Sequence, residues 1–301
     1  MKYRIIHSTR FVYDAPAYDS QNEVRLRPWD RDGQRCVEFS LSASAPASIQ
    51  PFEDFFGNQA HSLSVSEPHR ELEIVARSIV EIDPPIEPGP CGVTFGEFLK
   101  NDAIRGRAYF EFLAESRYVP FSERLRRFFW MAHPEDDEDV ADYVVRMARY
   151  VRDQFEYESG TTHVHSSLND ILASGGGVCQ DFAHLTIGIL RLAGVPTRYV
   201  SGYLAPPPAG SGPTDITAQA SHAWLEAWLP GQGWRGFDPT HRCAIDGRQI
   251  GVAVGRDYAD APPIRGVFRS AGESSKMTIQ LSVERAEPES SGGPGADQSQ
   301  Q

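Results

Sequence analysis

The hydrophobic period of this chain changes at about residue 95, and that change limits the folds open to it. Before it, apolar and polar residues alternate in Arg4-Ile5-Ile6-His7, Glu23-Val24-Arg25-Leu26-Arg27, Val37-Glu38-Phe39-Ser40-Leu41 and Ser62-Leu63-Ser64-Val65. Leu72-Glu73-Ile74-Val75-Ala76 and Ile79-Val80-Glu81-Ile82 continue the pattern. A period of two is that of half-buried strands. Asp32-Gly33 and Phe56-Gly57-Asn58 supply turn chemistry, so residues 1–85 are predicted to form a small antiparallel β-domain. Asp83-Pro84-Pro85-Ile86-Glu87-Pro88-Gly89-Pro90 cannot continue a ladder and reads as a linker.

Beyond the linker the period becomes helical. Phe95 to Phe129 is irregularly helical, and 86–139 is taken together as linker and helical segment. Val140, Tyr143, Val144, Met147, Ala148, Val151 and Phe155 then fall on one helix face. The acids of Pro134-Glu135-Asp136-Asp137-Glu138-Asp139 precede it and suit the helix dipole, a simpler reading than metal binding. A short helix is predicted over Leu168–Ala173, with Ser167 and Asp170 spaced as a capping box. Phe182, Leu185, Ile189 and Leu192 mark another helix, ended by Gly194 and Pro196. Thr197–Leu204, His222–Leu229, Trp234–Asp238 and Met277–Val283 read as strands. The loop Pro206-Pro207-Pro208-Ala209-Gly210-Ser211-Gly212-Pro213 is expected to border a cleft. The chain is therefore expected to be α+β, with a second, larger domain over 140–286 and a disordered tail over 287–301.

At 301 residues, 40% of them hydrophobic, the chain can fill such cores. Its formal net charge of −12 argues against nucleic acid or an anionic membrane as partner. No run approaches the roughly 20 apolar residues of a membrane span, and the N-terminus lacks the apolar core of a signal peptide. Cys36, Cys91, Cys179 and Cys243 form no Cys-x-x-Cys pair, so free thiols in a reducing cytoplasm are expected. No EF-hand loop is present and no cofactor is expected.

The candidate chemistry gathers on three segments. Ser174-Gly175-Gly176-Gly177-Val178-Cys179-Gln180-Asp181-Phe182 delivers a cysteine to the first turn of a predicted helix. Unpaired N–H groups and the dipole at a helix start favour a thiolate, and glycines let a substrate approach the backbone. On the strand His222-Ala223-Trp224-Leu225-Glu226-Ala227-Trp228, His222, Trp224, Glu226 and Trp228 share one face, with His222 at its beginning. Trp234-Arg235-Gly236-Phe237-Asp238 follows after the short turn Leu229-Pro230-Gly231-Gln232-Gly233. Hairpin geometry returns Asp238 toward His222. A nucleophilic cysteine needs a base that also protonates the leaving group, and an imidazole needs an acceptor to set its tautomer.

Gly-Gly-Gly-Val-Cys-Gln-Asp-Phe-Ala-His, Ser-His-Ala-Trp-Leu-Glu-Ala-Trp and Gly-Trp-Arg-Gly-Phe-Asp-Pro-Thr closely resemble the transglutaminase-like superfamily over residues 140–245. The N-terminal runs Ile6-His7-Ser8-Thr9-Arg10-Phe11-Val12-Tyr13, Glu23-Val24-Arg25-Leu26-Arg27-Pro28 and Asp54-Phe55-Phe56-Gly57-Asn58 resemble the β-rich domain that precedes the core in bacterial members. The resemblance implies a papain-like, transglutaminase-core cysteine fold. It also implies Cys179 as nucleophile, His222 as general base and acid, and Asp238 as orienting carboxylate. Gln180 and Tyr157 are candidates for the oxyanion or substrate contact beside the Cys179 N–H. Hydrolysis of a peptide or amide bond is the expected reaction, on a peptide or protein substrate. Protein-glutamine crosslinking and a non-catalytic binding scaffold are the alternatives, and the oligomeric state stays open.

Other residues take plainer readings. Trp224 and Trp228 suit core covering, His184 packing, and Asp181 a first-turn helix acid. His163 and His165 alternate as a metal pair would, with Cys179, His184, His241 and Cys243 as conceivable further ligands. Their spacings match no compact zinc motif.

Overall fold

A computed structural model describes residues 1–86, 88–100, 107–158, 168–207, 221–241, 243–272 and 274–286. His163, His165, the capping residue Ser167, most of the 206–213 loop and the 287–301 tail lie outside the described residues.

One long strand organises the N-terminal half. β1 (Lys2–Val24) pairs with β5 (His69–Ile82), which itself pairs with β2 (Gln34–Ala43). Past a bend around Tyr13–Ala17, β1 pairs with β4 (Gln59–Val65), and β4 with β3 (Ser48–Glu53). Arg4–His7 lies near the start of this single 23-residue strand, whereas of the predicted strand Glu23–Arg27 only Glu23 and Val24 belong to it, at its end. Likewise Leu72–Ala76 and Ile79–Ile82 fall in β5. The expected turns hold Asp32, Gly33 and Gly57 at positive φ. Tyr13, Val24, Leu26, Leu63, Leu72 and Ile74 fill the core between the two arms.

The helical segment supplies α1 (Phe95–Phe98), a 3-10 turn over Arg107–Phe112, α2 (Glu123–Met131) and α3 (Val140–Gln154). Asp139 caps α3: one carboxylate oxygen accepts from Ala141 N at 2.8 Å, the other from Gly92 N at 2.8 Å. At least this member of the acidic run is a helix cap. Next come β6 (Glu156–Tyr157), α4 (Leu168–Ser174), β7 (Gly176–Gly177) and α5 (Cys179–Leu192). The sheet beneath α5 has the order β11-β10-β9-β8-β12, from β8 (Thr197–Leu204), β9 (Ser221–Leu229), β10 (Gly233–Asp238), β11 (Cys243–Ala244) and β12 (Gln249–Gly255). Every residue of α5 from Asp181 to Arg191 is buried. The spacing suggested one apolar face, but α2, α3 and α4 cover the side of α5 that the sheet leaves open. Gly188 lets α2 approach: a Cβ there would lie 2.8 Å from Leu125 Cδ2.

The strand predicted over Met277–Val283 forms, but not where residues 140–286 were expected to place it. β13 (Ile264–Ser270) and β14 (Ser275–Arg285) both pair with β1, so the N-terminal sheet is built from both ends of the chain. Period alone marks a strand and cannot name its partner.

Candidate active site

Backbone geometry brings Cys179 to the head of α5. Gly175, at φ +81, turns the chain out of α4, and Gly176 and Gly177 pair in parallel with Glu156 and Tyr157. Gly177 has no room for a side chain: a Cβ would lie 2.9 Å from Asp181 Oδ2. That buried carboxylate accepts from Val178 N at 3.0 Å and so ties down the residue before the cysteine. Asp181 is the first-turn acid its position suggested, with the added job of shaping the loop.

His222 and Asp238 arrive from the hairpin of β9 and β10, whose turn holds Gly231 and Gly233 at positive φ. His222 Nε2 donates to Asp238 Oδ2 at 2.7 Å, and both side chains are almost wholly buried. Cys179 lies near enough to His222 to help raise its pKa. The structure thus brings His222 onto Asp238 with Cys179 nearby.

Electrostatics follow from that alignment. Burial alone would lower the pKa of His222, but the Asp238 charge and the hydrogen bonds to Asp238 and Cys179 outweigh it, and the net shift is upward. Burial alone would raise the pKa of Asp238. The His222 charge and the hydrogen bonds from His222 and His241 hold it far below the usual carboxylate range. Both shifts favour an imidazolium paired with a carboxylate.

Four further features support the pair. Asp238 Oδ2 also accepts from His241 Nδ1 at 2.8 Å and from Gln249 Nε2 at 3.0 Å, while Oδ1 accepts from Thr240 N at 3.1 Å. The Trp224 ring stacks on His222 at 5.9 Å with 26° between planes. Gly202, opposite His222 in β8, makes room for that ring: a Cβ there would lie 2.6 Å from Trp224 Cη2 and 2.1 Å from the Ile250 carbonyl oxygen. Beside Trp224 on the same face, Glu226 is buried against Arg198 Nε at 2.6 Å.

Tyr157 and Gln180 flank the cysteine. Tyr157 pairs with Gly177, and its hydroxyl pKa is pushed up to about 12, first by burial and then by the neighbouring Cys179 and Asp238. It therefore stays a proton donor across the physiological range. Gln180 follows Cys179 in the first turn of α5 and is half-buried. His184 stands apart from the site. Its Nε2 accepts from Tyr258 N at 3.1 Å, its ring stacks on Tyr118, and burial pulls its pKa down to about 4.

His222, Asp238 and His241 offer ligand atoms within 4.8 Å of one another. The 2.7 and 2.8 Å separations from Oδ2 are those of shared protons. Two ligands about 2.0–2.1 Å from a tetrahedral zinc ion would stand roughly 3.3 Å apart. The raised pKa of His222 also favours a proton over an ion. Sequence reasoning weighed His241 only as a metal ligand and missed Gln249 altogether. No motif marks Gln249, because β12 reaches Asp238 only through the fold.

Comparison with known proteins agrees with this architecture. Residues 3–81 match the bacterial transglutaminase-like N-terminal region, and residues 131–239 match the transglutaminase-like superfamily. The chain is 37% identical to an uncharacterized protein of Mycobacterium leprae, over 94% of this chain and 98% of that one. Over 97 residues it is 37% identical to a protein-glutamine gamma-glutamyltransferase of Pseudomonas aeruginosa, covering 30% of this chain and 14% of that protein. A crystal structure from Cytophaga hutchinsonii, provisionally described as a cysteine protease, superposes with a TM-score of 0.72 at 22% identity, covering 96% of this chain and 91% of that one. The likeness extends through the N-terminal antiparallel β-domain as well as the cysteine-protease-like core.

Proposed function

This chain belongs to the transglutaminase-like superfamily, and we propose that within it the protein is a cysteine hydrolase of peptide or amide bonds. The observation that carries the reading is the half-buried Cys179 beside the buried pair His222 and Asp238, in which the histidine pKa is raised. In this reading the Cys179 thiolate attacks the substrate carbonyl and its proton resides on His222. The tetrahedral oxyanion receives the N–H of Cys179 at the helix start, together with the Tyr157 hydroxyl or the Gln180 amide. As the C–N bond breaks, the imidazolium passes its proton to the departing amine. His222, now neutral, takes a proton from water, whose oxygen attacks the thioester. Collapse releases the carboxylic product and returns Cys179.

Peptide or protein is the substrate class, supported by the cysteine-protease-like fold. A reducing compartment belongs to the same reading, supported by unbridged Cys36, Cys91 and Cys179. Among the described residues no helix is long and apolar enough to cross a membrane.

The deciding experiment follows alkylation of each cysteine against pH by mass spectrometry, in wild type and His222→Ala. The reading requires Cys179 to react fastest near pH 6 and to lose that lead without His222. Equal rates at Cys179, Cys36 and Cys91 in wild type would count against it. A second reading, amine transfer to give a crosslink, is favoured by the match to the Pseudomonas gamma-glutamyltransferase. It shares every step up to the thioester and differs in what attacks it. Incorporation of a labelled primary amine at the expense of hydrolysis would select it.

A further inference from the structure

Asp238 Oδ2 takes protons from side chains on separate elements, and those elements differ in what they can do. His241 lies on the turn that follows Asp238 and moves with it. Gln249 begins β12, a different strand, and is buried. Its amide orientation is set at the other end: Oε1 accepts from Asp246 N at 3.2 Å, so Nε2 faces Asp238. Gln249 therefore registers the carboxylate against something outside its own hairpin.

That something is the N-terminal domain. β12 pairs with β8 along one edge, and among the described residues its other edge has no partner strand in the sheet order. Side-chain amides take that role, together with the backbone N–H of Trp29, which donates to the Gly251 carbonyl at 3.2 Å. Gln34 binds Gly251 from both ends, donating to its carbonyl at 2.9 Å and accepting from its N–H at 2.8 Å. Asn58 does the same at Val254, at 2.7 and 2.8 Å. Trp29 lies flat against Gly251, where a Cβ would come within 1.8 Å of the indole. Buried amide pairs of this kind have one register, because a slip leaves both members unsatisfied.

We propose that Gln249 is a positioning residue for Asp238, and that the N-terminal domain sets the geometry of the site through it: Gln34 holds Gly251 of β12, and β12 holds Gln249 against Asp238. The N-terminal domain is then a working part of the reacting centre. This inference rests on reading Cys179, His222 and Asp238 as that centre.

The test uses the full chain and two readouts that general loss of stability does not move. One is the far-downfield proton resonance of His222 Nε2–H in its bond to Asp238. The other is the rate at which iodoacetamide alkylates Cys179 at pH 6, per folded molecule. Gln249→Met and Gln34→Met should each shift or broaden the resonance. Both should slow alkylation about 10-fold or more, since a misplacement of about 1 Å at a reacting centre costs up to about 100-fold. Asn58→Met breaks the clamp at Val254 instead, and should lower the melting temperature while leaving the resonance in place. The proposal is overturned if Gln249→Met and Gln34→Met lower only the melting temperature. Should Gln249→Met not fold, Gln34→Met decides alone, since the side-chain hydrogen bonds of Gln34 go to Trp29 and Gly251 and not to Cys179, His222 or Asp238. Failure of the underlying reading looks different: Cys179 in wild type would react no faster than Cys36, while the resonance still reports whether Gln249 and Gln34 position Asp238.

Discussion

Asp238→Asn is the substitution whose outcome the structure specifies most closely. In wild type, one oxygen accepts from His222, His241 and Gln249 and the other from Thr240 N. An asparagine can place an acceptor on only one of these sides. With its oxygen toward His222, its amide N–H faces the Thr240 N–H; reversed, it confronts three donors. Either way a buried site loses acceptors, and the charge that holds His222 protonated is gone. His222 titrates at about 10 rather than 6.5, a preference for the imidazolium of about 5 kcal/mol. Without Asp238, burial is the largest remaining influence and lowers the pKa, with Cys179 the neighbour that still raises it. A return to the ordinary 6.5 would take the imidazolium population at pH 8.5 from nearly complete to about 1%, roughly 100-fold. A step that needs imidazolium to protonate a leaving amine should slow by a similar factor. Histidine NMR titration is the assay, with His222 assigned from the signal missing in His222→Ala, beside turnover of an amide substrate at pH 8.5. A folded Asp238→Asn protein whose His222 still titrates near 10 would refute the argument, because Cys179, the other group that raises the value, would then have to account for it without the Asp238 charge.

The same pair fixes the sign of pH-dependent stability. His222 has a folded pKa above its unfolded value, so its contribution is complete below about pH 6.5 and is lost as pH climbs through about 10. Melting temperature should fall over that window in wild type and much less in Asp238→Asn. Gly202→Ala should cost several kcal/mol or prevent folding, because its Cβ meets the Ile250 backbone and not only a movable side chain; a chemical denaturation midpoint near wild type would contradict this. Tyr157→Phe should lower kcat by about 10²-fold with little change in KM if its hydroxyl is an oxyanion donor, whereas an effect confined to Gln180→Ala would assign that role to the amide. Arg198→Met leaves Glu226 buried, with Arg31 at 3.7 Å its remaining recorded ion-pair partner, and should destabilise by about 3–5 kcal/mol in urea unfolding.

The legible part of this protein was the part encoded over short distances. Helical spacing from Val140 and the glycines before Cys179 each specify local backbone, and the structure places both as read. The approach of Asp238 to His222 was readable too, because a short hairpin turn brings those positions together. Side-chain alternation along β9 predicted that Ala223, Leu225 and Ala227 face one way and Trp224 and Glu226 the other. It could not say that both faces would be buried, the first under α5 and the second under Trp29 and Phe56 of the N-terminal domain.

What only the tertiary structure decided lies across long separations. β14 carries a plain strand pattern, yet whether it pairs with β8 or with β1 depends on where both ends of the chain meet. Gln249 and Gln34 are ordinary glutamines in sequence, and 215 positions separate them. Their roles arise because β12 is left with an open edge, and unpaired backbone groups in a buried place must find partners. Local residues determined which groups could react. Burial and long-range hydrogen bonding determined that His222 is held as a cation and which parts of the molecule keep it there.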